Sequence, residues 1–109
     1  MEIMLKDNCC IITPLSPKLT ERETTRLNKE ILNNAGLRTG LDMMFVNDCN
    51  IEFIEKIKNY KNLGLFNINS DIFAILTSMN LDKTLKLFVS ELDFINDKHQ
   101  LLNRKFSIV

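Results

Sequence analysis

A chain of 109 residues with 45% hydrophobic and 26% charged residues has ordinary globular composition, and at this length folding buries roughly two-thirds of the unfolded surface. Its 14 Lys and Arg residues offset its 14 Asp and Glu residues, which leaves no cationic surplus for nucleic acid or an anionic membrane surface. No apolar run approaches the ~18–20 residues of a membrane span, and residues 1–7 are too short and too acidic for a secretory signal, so a cytoplasmic protein without membrane insertion is expected. Three cysteines (Cys9, Cys10, Cys49) make no disulfide framework. Adjacent cysteines on a strand point to opposite faces, and free thiols suit a reducing compartment.

The pattern along the chain predicts alternating elements. Residues 2–6 and 9–13 read as a hairpin turned by Asp7-Asn8, because both residue types tolerate the left-handed region. Pro14 and Pro17 end strand pairing. Thr20 and Glu23 form a capping box, opening a helix with Leu27, Ile31 and Ala35 on one stripe and Leu32 beside them. Gly36 is expected at a left-handed helix end, with Leu37 folding back on Leu32. Residues 41–46 read as a central strand with apolar side chains on both faces.

A helix with Ile51, Phe53, Ile54, Ile57 and Tyr60 on its stripe follows the polar corner at 47–50. A strand over 63–68 leads to a helix capped by Asn69 or Ser70 and carrying Ile72, Phe73, Leu76 and Met79, with Asn80 and Leu81 ending it. Residues 84–89 alternate as a strand. Ser90 then opens a last helix lined by Leu92, Ile95 and Leu102, and residues 104–109 continue it, extend or fray. The expectation is one small α/β domain over residues 1–109: a mostly parallel, mixed central sheet of about five strands, with an N-terminal hairpin and about four helices.

Candidate chemistry is sparse. Cys49 is the sharpest candidate: with Asp48 as N-cap it would lie in a first helical turn, where backbone N–H groups stabilise a thiolate. Asp48 itself works against such activation, and nothing in the sequence ties His99, the one histidine, to Cys49 as a base. His99 falls on an apolar stripe and gathers no further metal ligands. Glu52 and Glu55 suit a solvated helix face. The glycines Gly36, Gly40 and Gly64 form no phosphate-binding loop. The expectation is therefore a non-enzyme with no catalytic residue, metal or cofactor.

The stretch from Leu65 to Phe88 resembles the second half of a STAS domain (sulfate transporter and anti-sigma factor antagonist family): strand, polar corner, helix, a left-handed ending (Ser78-Met79-Asn80-Leu81) and a return strand. Ser90-Glu91-Leu92-Asp93 is similar to the start of that family's last helix. The resemblance implies a protein-binding module without catalytic activity. It also implies a Ser or Thr, after an Asp, that an anti-sigma-type kinase phosphorylates at the start of the second helix. That position falls on Asn47-Asp48-Cys49-Asn50. Asp48 stands for the family Asp, while Cys49 and Asn50 occupy the hydroxyl positions. A second register puts Glu55-Lys56 there, and no Ser or Thr occurs from Leu41 to Asn69. The phosphoswitch is therefore expected to be lost, with 47–50 kept as a partner-docking corner.

Three readings follow. The first is an interaction module for an anti-sigma-type kinase, a larger STAS assembly or the ATPase of a lipid-transport complex. The second is a thiol-dependent enzyme or redox sensor using Cys49. The third is a homo-oligomer that uses a sheet edge or a Met-rich face.

Overall fold

The computed structural model describes residues 1–97, and its sheet starts at the predicted hairpin. Strands β1 (Glu2–Lys6) and β2 (Cys9–Thr13) pair antiparallel, closing on Lys6 and Cys9. Asp7 and Asn8 have φ values of 51° and 63°, the pair of left-handed residues that a two-residue type I′ turn requires. An alternation of helix and strand follows: α1 (Glu21–Asn33), β4 (Arg38–Asp42), α2 (Ile51–Ile57), β6 (Leu63–Phe66), α3 (Ser70–Ser78), β7 (Lys86–Phe88) and α4 (Glu91–Ile95). The sheet order is β1-β2-β4-β6-β7, parallel from β2 onward. The protein is thus a small α/β domain with a five-strand mixed sheet, as the alternation predicts. His99, Leu102 and the 104–109 segment lie outside the described residues.

Two short strands are absent from the sequence reading. β3 (Lys18–Leu19) and β5 (Asp48–Cys49) pair in parallel as a separate ladder. Pairing therefore resumes directly after Pro17, whose carbonyl accepts from the N–H groups of Asn47 at 2.7 Å and Asp48 at 3.2 Å.

The two sheet faces differ in kind. One carries Cys10, Ile12, Leu41, Leu63, Leu65 and Leu87, packed with Leu27 and Ile31 of α1, Phe53, Ile54 and Ile57 of α2, and Ile72 and Leu76 of α3. The other carries a smaller cluster of Cys9, Ile11, Phe66, Phe88 and Phe94, covered by α4. Gly40 and Gly64 are register partners on β4 and β6. A Cβ on Gly40 would stand 2.8 Å from the rings of Phe66 and Phe94, and one on Gly64 would stand 2.5 Å from Phe88. The two glycines form a trough for the Phe94 ring, which stacks on Phe66 at 5.6 Å and meets Phe88 edge-on at 5.2 Å. The predicted stripe of the last helix is corrected here: Leu92 is 65% exposed, and Phe94 is the buried anchor.

Helix ends show where local signals held. At α3, Asn69 is the N-cap and its Oδ1 accepts from the Ile72 N–H at 2.9 Å. At its other end Asn80 has φ 57°. The Leu81 N–H donates to the Leu76 carbonyl at 2.8 Å and the Asn80 N–H to the Thr77 carbonyl at 3.0 Å. That is a Schellman ending with asparagine in the left-handed position. At α1 both expectations fail. Thr20 makes no side-chain cap bond. Gly36 does not adopt a left-handed conformation. The Asn34 side chain takes the Glu30 carbonyl at 2.9 Å, and the chain leaves through tightened i→i−3 bonds from Asn34 and Ala35. Leu32 and Ala35 are left exposed.

Candidate functional site

The central strand ends earlier than its apolar run. β4 stops at Asp42, and residues 43–46 turn instead of extending. The buried Asp42 carboxylate causes this turn: its Oδ1 accepts from the Met44 N–H at 3.1 Å and from Asn67 Nδ2 at 3.0 Å. A short carboxylate that captures the N–H two residues on competes directly with strand geometry. Met43 and Val46 then point into the core, while Met44 (55%) and Phe45 (45%) are left on the surface.

Further bonds brace this corner from two sides. Asn69 Nδ2 donates to the Val46 carbonyl at 2.7 Å and to Asn47 Oδ1 at 3.0 Å, tying the corner to the start of α3. The Pro17 carbonyl and the β3–β5 ladder hold it from the other side. Asn67, with φ 54°, provides the sharp exit from β6 that aims its amide at Asp42. The corner therefore stands at the carboxyl ends of the parallel strands β4 and β6, where open α/β sheets place their binding crevices.

Asp48 does not cap α2; Asn50 does. Asn50 Oδ1 accepts from the N–H groups of Glu52 at 2.7 Å and Phe53 at 3.3 Å. An amide oxygen two residues later in the chain has the reach that the strand-bound Asp48 lacks. Of the four sequence-predicted docking residues, Asn47 and Asp48 are exposed, Asn50 is half-buried and engaged in capping, and Cys49 is buried. Within residues 44–51, Asn47 and Asp48 are thus exposed together with Met44, Phe45 and Ile51. Ile51, expected on the buried stripe of α2, is instead 59% exposed at the first position of the helix. Sequence reasoning missed the bracing residues Asp42, Asn67 and Asn69 as a set. The available signal was an Asp inside an apolar run, two residues before a position whose N–H it can take.

Cys49 is 7% exposed. Burial, and then the neighbouring Asp48 carboxylate, push its thiol up to about 12. Its Sγ lies 3.7 Å from the Asn50 carbonyl, so it is a buried thiol at neutral pH, and a thiolate nucleophile is disfavoured. Among the described residues no group of three or more His, Cys, Asp or Glu side chains is placed to hold a metal ion, and no helix is long and apolar enough to cross a membrane.

A second surface feature lies at the opposite, amino-terminal end of the parallel strands. It is a groove of about 320 Å³ lined by Ile31, Leu32, Leu37, Thr39, Tyr60 and Leu63, with the Tyr60 hydroxyl donating to Asn28 Oδ1 at 2.9 Å on its far side. Its lining also includes the polar residues Asn59, Lys61 and Asn62. No protein-family model matches the chain, and no curated protein matches it.

Proposed function

We propose that this chain is a non-catalytic protein-interaction module of STAS-like type that docks a regulatory partner at the 44–51 corner. The observation that carries this reading is the pairing of exposed apolar side chains (Met44, Phe45, Ile51) with a backbone held by Asp42, Asn67, Asn69 and Pro17. Apolar anchors on a pre-organised backbone lose little entropy on docking. Asn47 and Asp48 supply a polar rim beside them. The order of elements, the Asn69 cap and the Asn80 ending agree with the pattern that suggested the family. With no Ser or Thr from Leu41 to Asn69, recognition at this corner proceeds without the phosphoswitch, whether the partner is an anti-sigma-type kinase or another STAS-binding protein.

Affinity capture with wild type, Asp48→Lys, Phe45→Ser and Leu32→Ser tests the location. A partner retained by wild type and Leu32→Ser and released by both corner variants supports the reading. Release by Leu32→Ser alone places the interface at the opposite groove and overturns it. Incubation with a captured kinase and ATP should leave residues 41–69 unmodified, and phosphate found there by mass spectrometry would sink the lost switch.

A further inference from the structure

One edge of the sheet is β1, and all five of its residues, Glu2-Ile3-Met4-Leu5-Lys6, face solvent. Nothing among the described residues blunts it: the strand has no proline, bulge or charge at its centre, the usual guards of a free edge. A two-residue hairpin closes on a hydrogen-bonded pair, here Lys6 and Cys9, and such pairs alternate along an antiparallel ladder. The backbone groups of Glu2, Met4 and Lys6 therefore turn inward to β2, and those of Ile3 and Leu5 turn outward and unpaired.

We infer that β1 is a self-complementary docking edge for a second copy of this chain, pairing antiparallel about a two-fold axis at Met4. That register sets Ile3 opposite the second copy's Leu5 and Leu5 opposite its Ile3, so all four outward-facing residues form hydrogen-bonded pairs. The same register sets Glu2 opposite Lys6 twice. These are non-hydrogen-bonded positions, where facing side chains come closest and opposite charges attract. Registers centred on Ile3 or Leu5 also satisfy the backbone, but they leave Glu2 or Lys6 without its opposite charge. Charge thus selects the Met4 axis from the registers the backbone permits.

The faces agree with this placement. Ile3 and Leu5 lie on the α1–α3 face, so four exposed aliphatic side chains meet across the junction. Met4, Glu2 and Lys6 lie on the α4 face, where Lys6 Nζ already meets Glu91 Oε2 at 3.2 Å. In the pair each Lys6 sits between its own Glu91 and the other copy's Glu2. A two-fold contact of this kind is closed, uses up the edge, and yields a continuous ten-strand sheet from two five-strand sheets. A five-residue edge buries less than about 1,200 Å², which belongs to weak, concentration-dependent association.

Sedimentation velocity over a concentration series of about 5–500 µM tests the proposal in the range expected for such an interface. Wild type should pass from monomer to dimer and stop there. Glu2→Lys and Lys6→Glu should each weaken association about tenfold or more, because each opposes like charges twice. The double variant Glu2→Lys/Lys6→Glu, and an equimolar mixture of the two single variants, should regain it. Met4→Cys should cross-link to itself with oxidised glutathione, since non-hydrogen-bonded partners lie at disulfide distance, whereas Ile3→Cys should not. A monomer at every concentration, growth beyond a dimer, or a dimer indifferent to both charge variants overturns the proposal. Self-cross-linking of Ile3→Cys as fast as that of Met4→Cys overturns the register.

Discussion

The Arg38 guanidinium lies 4.5 Å from the centre of the Phe94 ring and donates to the Phe94 carbonyl at 2.7 Å. One side chain thus holds both the ring and the backbone of the short helix that covers its sheet face. The same guanidinium reaches the Ile95 carbonyl at 3.3 Å and Asp97 at 3.4 Å, so it also binds carbonyls at the helix end, where positive charge is favoured. A five-residue helix has too few internal bonds to persist alone, and Phe94 and Arg38 supply what it lacks. Phe94→Ala should cost about 3–5 kcal/mol by chemical denaturation, as expected for a large core ring. Arg38→Lys should fail to match wild type, because a point charge cannot span several acceptors as a planar fork does.

The glycine trough gives a second expectation. Gly40→Ala and Gly64→Ala should each destabilise by about 1–3 kcal/mol through overpacking, since both Cβ positions fall within 3 Å of an aromatic ring. The cause is separable from backbone effects: in a Gly40→Ala background, Phe94→Leu should cost measurably less than in wild type. A double-mutant cycle that closes to zero would contradict the trough.

Asn80 should behave as a conformational residue. At φ 57° an Asn80→Ala change should cost about 1 kcal/mol, and Asn80→Gly should be neutral or stabilising. Thermal unfolding of the two variants side by side reads the sign.

Asn69 has two roles that substitution can divide. Asn69→Ala removes the α3 cap and the corner tether together, and should cost about 1–2 kcal/mol. Asn69→Asp keeps the acceptor for the Ile72 N–H but loses the donor to Val46 and Asn47. It should leave α3 protected while amide hydrogen exchange accelerates at residues 43–48. Equal exchange in wild type and Asn69→Asp would show that the tether does not hold the corner.

Cys49 carries a pH prediction. Its folded value is pushed up to about 12 from an ordinary value of 9.0, by burial first and Asp48 second. Between those values the unfolded chain binds fewer protons than the folded one, so stability falls as pH rises. The contribution is full below about pH 9 and lost as pH approaches 12. Cys10 and Tyr60 are shifted upward as well, so the measurement is the difference in alkaline slope between wild type and Cys49→Ala. At neutral pH, iodoacetamide should modify Cys49 far more slowly in the folded protein than in denaturant.

The sequence by itself determined what rests on neighbours in the chain. The Asp7-Asn8 hairpin, the Asn69 and Ser90 caps, the Asn80-Leu81 ending and the alternation of strand and helix all depend on bonds spanning a few residues, so composition and period specify them. The mixed five-strand sheet then follows from crossover handedness. Only the tertiary structure decided the features built on long-range register. The apolar run 41–46 reads as a strand, yet the Asp42 carboxylate and an asparagine from the next strand's exit convert its second half into a turn. Phe94, not Leu92, became the anchor of α4 because two glycines on different strands fall opposite each other only after pairing. Cys49 looked like a helix-terminal thiol until the β3–β5 ladder drew Asp48 and Cys49 into a strand and passed the cap to Asn50. Hydrogen bonds and ring contacts between residues dozens of positions apart leave no period in the sequence, and these contacts shape the candidate site.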